Sequence, residues 1–302
     1  MKTNEEIREQ IRSDYANIAT SSTVTRDQLT GESQSSGSCC SAGACGVTES
    51  IDAADLANQI GYSKEELESL PMDANMGLSC GNPTVIAALQ EGETILDLGS
   101  GGGFDIFLAG PKVGKSGRAI GIDMTHEMIA KARKNIAHYT QTTGLDNVEF
   151  RLGEIEHLPV PDNSVDVIIS NCVLNLSIDK QQVWNEIARV LKPGGRVAVS
   201  DIALLKPLPD AVKEIVESWA GCVAGAIPVE TMRSQMEFAG FDEITLTPKL
   251  HYVEALTAAN DPLYTKVTEL LPDGQSASDV ITSLDILARK PGGSCCGPDC
   301  CS

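Results

Sequence analysis

The stretch that most constrains this chain is ILDLGSGGGFD, Ile95 to Asp105. An apolar strand runs straight into Gly99-Ser100-Gly101-Gly102-Gly103 and then into FDIFLAGPKV, a helix-forming segment. Residues without side chains let the backbone turn tightly and approach a ligand, with helix N–H groups just beyond. The same rhythm continues. GRAIGIDM is a second strand and THEMIAKARKNIAHYTQTTG a helix capped by Thr125; NVEFRLG and VDVIIS are the third and fourth strands. KQQVWNEIARVL is a helix stopped at KPGG, and RVAVSDI a fifth strand. Strands separated by helices or helix-sized gaps predict an open, mostly parallel α/β sheet of Rossmann-like form with helices on both faces. Burial on both faces accounts for the unbroken apolar run in VDVIIS.

Around this unit the patterning is looser. Residues 4–19 read as an amphipathic helix, Thr20 to Ser50 as a Ser/Thr/Gly/Cys-rich loop, and DAADLANQIG as a helix ending at Gly61. Ser63 and Glu66 form a capping-box pattern. After Asp201, DAVKEIVESWAGCVAGAI and VETMRSQMEFAGF read as helices. EITLTPKLHYVEAL reads as a strand with a second strand behind it, and SASDVITSLDILARK as a final helix. The expected divisions are an N-terminal lid with a Cys-bearing loop (1–74), the sheet domain (75–205), a smaller C-terminal α+β region (206–290) and a Cys-rich tail (291–302).

The formal charge of −19 argues against nucleic acid or an anionic membrane as partner and favours a small molecule. The N-terminus lacks the apolar core of a signal peptide, and no run approaches the ~20 apolar residues needed to span a bilayer. A cytoplasmic monomer is expected. In a reducing compartment ten cysteines point to soft-ion binding or redox chemistry rather than to disulfide staples.

The residues after each strand suggest the cofactor. Asp123 closes the second strand 24 residues after Gly99, close to the spacing at which an acid accepts bonds from a ribose diol. Asp97 and Asp105 flank the glycine turn and would repel a diphosphate. A ribose-bearing, phosphate-free cation fits better than a dinucleotide, and S-adenosylmethionine is such a molecule. The expected cofactor-binding residues are Asp97, Gly99, Ser100, Gly101, Gly103, Asp123, Met124, Gly153, Glu154, Ile155 and Asn171, with Glu154 and Ile155 bracketing the adenine. Asp97 would serve equally as a cap of the turn, and Glu154 as a solvated loop residue.

DLGSGGGFD, GIDMTHEM, NVEFRLGEIEHLPV, SVDVIISNCVLNLS, VLKPGGRVAVSDI and WAGCVAGAIP together resemble the arsenite S-adenosylmethionine methyltransferases, over most of the chain. The glycine turn and LKPGG fit many methyltransferases; LSCGNP, ISNCVLNLS and AGCVAGA in one chain are far more specific. The resemblance implies that Cys172 and Cys222 bind trivalent arsenic, with Cys80 and an N-terminal thiol joining in successive steps. Cys39 and Cys40 best fit that last place, with Cys45 as competitor. Sulfur ligands select a thiophilic centre over hard cations, and three thiolates leave the arsenic lone pair free to attack the sulfonium methyl. Cysteine oxidation would return arsenic to the trivalent state, with glutathione or thioredoxin as reductant. Free cysteines are also common core residues, so each thiol has a purely packing alternative. The tail pairs Cys295-Cys296 and Cys300-Cys301 suit an accessory arsenic site or a dispensable tail. Rival readings are a methyltransferase for a small carbon or oxygen nucleophile, and a thiol protein that only binds arsenic or zinc.

Overall fold

The computed structural model describes residues 3–20, 57–58, 60–71, 74–213, 223–259 and 261–292. Seven strands form one sheet: β1 (Thr94–Leu98), β2 (Arg118–Asp123), β3 (Val148–Leu152), β4 (Val165–Asn171), β5 (Leu191–Leu204), β6 (Asp242–Lys249) and β7 (Ile281–Arg289). Their order is β3-β2-β1-β4-β5-β7-β6. The first five run parallel, and β7 lies antiparallel between β5 and β6.

Successive strand residues face opposite ways, and the core divides accordingly. Leu96 and Leu98 enter an apolar cluster with helices α6 (Lys180–Val190) and α7 (Val229–Phe238), where Trp184 and Phe241 meet edge to face. Ile95, Val167 and Ile169 enter a cluster on the other face with α4 (Phe104–Val113) and α5 (His126–Thr143). The glycine turn thus follows a strand covered on both sides, with helices on both faces as expected. Strand order reverses between β1 and β4, and in open sheets a ligand crevice opens beyond the strand ends at such a switch point.

The remaining helices are α1 (Asn4–Thr20), the short α2 (Lys64–Ser69) and α3 (Pro83–Ile86), α8 (Leu250–Ala258) and α9 (Pro262–Leu270). Ser63 and Glu66 make the capping box in full, and Thr125 stands at the N-cap of α5 without a side-chain cap bond.

Two expectations need correction. Residues 281–289, read as part of a final helix, are strand β7. Lying between two strands, it is buried along nearly its whole length and lacks the alternation that marks a half-exposed strand. In EITLTPKLHYVEAL the strand stops at Lys249 and the rest is α8, whose Val253 and Leu256 pack inward at helical spacing. The 206–290 stretch therefore adds two strands to the main sheet, which runs across the 205/206 boundary.

Candidate active site

Gly99, Gly101 and Gly103 all have positive φ, at 73°, 50° and 92°. A Cβ on Gly99 would stand 2.6 Å from Val173 Cγ1, and one on Gly103 2.7 Å from both Phe107 and Phe150. The turn is thus closed against the segment after β4 on one side and the α4 core on the other. Asp123 holds it in place: Oδ2 accepts from the Gly101 N–H at 2.9 Å and Oδ1 from the Thr125 N–H at 2.8 Å. Each oxygen keeps a lone pair for a hydroxyl group. Burial raises the Asp123 pKa, and the two backbone donors oppose the rise.

A cavity of about 810 Å³, counting the part open to solvent, lies beyond this turn. Of the expected cofactor residues, Gly99, Gly101, Asp123, Met124, Gly153, Glu154, Ile155 and Asn171 line it. Asp97, Ser100 and Gly103 do not. A Cβ on Gly121 would fall 2.6 Å from Ser100 Oγ, so the Ser100 side chain packs onto β2. Asp97 is buried in β1. Burial, then the Asp105 and Asp123 carboxylates, hold it well above the usual carboxylate range.

Residues missed from sequence form the roof. Arg8, Ile11 and Tyr15 of α1 line the cavity, and Arg12 Nη2 lies 3.1 Å from Glu154 Oε1. Ile18 and Ala19 bury against Met128. Positions 8, 11, 15 and 18 follow helical spacing, a signal for a covered face but not for what it covers.

Among the described residues two cysteines meet beside the cavity. Cys172 follows β4, lines the cavity, and has φ 56°, a conformation uncommon for a residue with a side chain. Its sulfur is bonded to that of Cys80, 92 residues away, with the Cα atoms 6.1 Å apart. Cys222, Cys39, Cys40, Cys45 and the tail cysteines lie outside the described residues. Val223, the chain neighbour of Cys222, packs against the apolar cluster containing Cys80 and Cys172. Among the described residues no cluster of three or more His, Cys, Asp or Glu side chains is arranged to hold a metal ion.

Asn171, expected to touch cofactor, has its amide committed to the Cys80 loop. Oδ1 accepts from the Cys80 N–H at 3.0 Å, and Nδ2 donates to Gly81 O at 2.8 Å and to Tyr62 Oη at 3.2 Å. Tyr62 in turn donates to Asp105 Oδ1 at 2.7 Å. Burial raises Asp105 to about 6, against the pull of the Tyr62 and Asn171 bonds. Asp97, Asp105 and Asp123 lie close enough for their charges to interact at the base of the glycine turn, and Asp123 alone of the three lines the cavity. Acidic groups so placed disfavour a diphosphate there. With the diol acceptor, the glycine cradle and the adjoining cavity, the site fits S-adenosylmethionine.

The comparisons agree with this geometry. A methyltransferase domain family matches residues 89–259, so fold and site define an S-adenosylmethionine-dependent methyltransferase. An arsenite methyltransferase of Halobacterium salinarum is 43% identical over 95% of this chain and 67% of its own length. One of Aquipseudomonas alcaligenes is 42% identical over 47% of this chain and 42% of its own. The crystal structure of an arsenic(III) S-adenosylmethionine methyltransferase from Chlamydomonas reinhardtii superposes with a TM-score of 0.54 at 29% identity, covering 80% of this chain and 74% of that one. The chain belongs to the arsenite methyltransferases. It spans two thirds of the first curated relative and less than half of the second.

Proposed function

We propose that this chain methylates trivalent arsenic held on its own thiolates, with Cys172, Cys222 and Cys80 as ligands and Cys39 or Cys40 entering in successive steps. The observation that carries this reading is Cys172 on the wall of the cofactor cavity, bonded to a Cys80 that is distant in sequence. Asp123 would hold the ribose, Glu154 and Ile155 the adenine, and the Gly99–Gly103 turn the amino-acid end. When bound, S-adenosylmethionine supplies an electrophilic sulfonium methyl group to the arsenic lone pair.

The protein's part is placement. Thiolates bind the thiophilic centre without engaging its lone pair, and alignment of two held reactants is worth ~7–11 kcal/mol. No general base is required, because no proton leaves the nucleophile. Gaining a methyl group takes arsenic from the trivalent to the pentavalent state. Two thiolates, those of Cys80 and Cys172, return two electrons to it and join as a disulfide; arsenic is again trivalent. An external dithiol or glutathione then reduces the disulfide by exchange, a chemistry suited to a cytoplasmic enzyme. Among the described residues no helix is long and apolar enough to cross a membrane.

The test is incubation with arsenite, S-adenosylmethionine and glutathione, followed by separation of arsenic species. Methylated arsenic from the wild type, with little from Cys172→Ser or Cys222→Ser, supports the reading. Binding of the cofactor without any methylated arsenic overturns it.

A further inference from the structure

The segment carrying Cys80 belongs to no helix or strand, yet its polar backbone groups are gripped by side chains from the sheet. Asn171, last residue of β4, takes the Cys80 N–H on Oδ1 and gives Nδ2 to Gly81 O, holding the segment at two points with one amide. Ser283, fully buried in β7, donates from Oγ to Cys80 O at 2.8 Å. Behind the loop a Cβ on Gly81 would fall 2.5 Å from Ser200 Cβ, so the backbone lies directly on β5. Ser200 is itself fixed by a 2.9 Å bond to Asp285.

We infer that Asn171 and Ser283 are positioning residues for the Cys80 thiol: they hold its backbone beside Cys172, so that the two sulfurs meet without rearrangement of the chain. The inference rests on the redox role proposed above for this pair; Ser283 bonds only to the Cys80 backbone, whereas Asn171 Oδ1 also lies 3.7 Å from the Cys80 sulfur, so Ser283 is the cleaner probe. Its physical basis is the cost of ordering. An unconstrained loop spends conformational entropy each time its thiol is brought to its partner, and here bonds from β4 and β7 hold it there in advance. Asn171 therefore serves two neighbours at once, its backbone ending a strand at the cofactor cavity and its amide fixing the thiol loop. With these grips in place before the sulfurs join, the reduced pair keeps a high effective concentration.

The pair's redox equilibrium tests this without any arsenic chemistry, so it stays informative even if the activity proposed above is absent. The full chain is equilibrated in reduced and oxidised glutathione mixtures, free thiols are trapped by alkylation, and the Cys80–Cys172 linkage is quantified by peptide mass spectrometry. Ser283→Ala loosens the reduced loop, so the equilibrium constant for forming the disulfide is expected to fall about fivefold, the factor set by one net hydrogen bond. Asn171→Ala, which removes two grips, is expected to fall further. Tyr139→Phe, which removes a buried bond to Asn147 away from the loop, should leave the equilibrium unchanged and controls for general loosening. An unchanged equilibrium in Ser283→Ala, or an equal fall in Tyr139→Phe, overturns the inference. Ser283→Ala decides the matter on its own if Asn171→Ala does not fold.

Discussion

Replacing Gly99 by alanine tests whether the cofactor turn and the thiol segment are one mechanical unit. The position has φ 73°, and its added methyl would sit 2.6 Å from Val173 Cγ1, nearer still to Cγ2, and 2.9 Å from Cβ. Forcing an L-residue into this conformation costs ~1–2 kcal/mol, and overpacking a closed contact adds ~1–3 kcal/mol. The sum, about 2–5 kcal/mol, is a large part of an ordinary domain's stability. Val173 immediately follows Cys172, so the overlap pushes either on the cofactor turn or on the thiol. Removing both offending methyls with Val173→Ala relieves part of the overlap but none of the backbone strain. The Gly99→Ala/Val173→Ala double variant should therefore recover ~1–2 kcal/mol of the loss. Urea unfolding reads stability, and calorimetry with S-adenosylhomocysteine reads the turn, where Gly99→Ala should bind at least tenfold more weakly. Wild-type affinity and stability in Gly99→Ala would refute the reasoning. So would a double variant no better than the single.

Asp105 and Asp201 are both raised to about 6 by burial. Each binds its proton more tightly when folded than unfolded, so each contributes stability that is full below pH ~4 and lost as pH rises through ~6. Between pH 5 and 7.5 each should cost the fold roughly 1 kcal/mol; Asp105→Asn should make the slope shallower in urea unfolding, with Asp201 and the likewise raised Asp97 supplying the rest, and parallel profiles would contradict it. A Cβ on Gly225 would overlap the Asn175 carbonyl oxygen, so Gly225→Ala should displace the segment after Cys222 and lower turnover at least tenfold while S-adenosylhomocysteine affinity holds. Glu154→Gln should weaken S-adenosylhomocysteine binding about fivefold or more by the same calorimetry. Arg12→Ala should act less, because its pair with Glu154 is partly exposed and such pairs contribute ~1 kcal/mol or less.

β1, β2 and β4 are legible in the sequence because they are short, mostly apolar runs with a polar residue or glycine at or just past their ends. Gly99 after β1 and Asp123 at the end of β2 announce both the fold and the cofactor end of the site. β7 is not legible in the same way. Val280, Ile281, Leu284, Leu287 and Ala288 satisfy helical spacing, and burial on both faces removes the period of two that would decide against it. The bond between Cys80 and Cys172 spans 92 residues, and no local pattern carries that distance. Asn171 shows the same limit. Its place at the end of β4 marks it as a site residue, but its partners Cys80, Gly81 and Tyr62 come from a segment about 90 to 109 residues away, so its role in holding the thiol loop emerges only in three dimensions.

The most direct measurement is a single turnover of fully reduced enzyme with one equivalent of arsenite, saturating S-adenosylmethionine and no added reductant. Arsenic speciation and peptide mapping are run on the same samples. The account predicts a burst of methylated arsenic accompanied by a matching amount of Cys80–Cys172 linkage, with the burst absent or strongly slowed in Cys80→Ser. Methylated arsenic formed at the wild-type rate by Cys80→Ser, or with both thiols still free in the wild type, would contradict it.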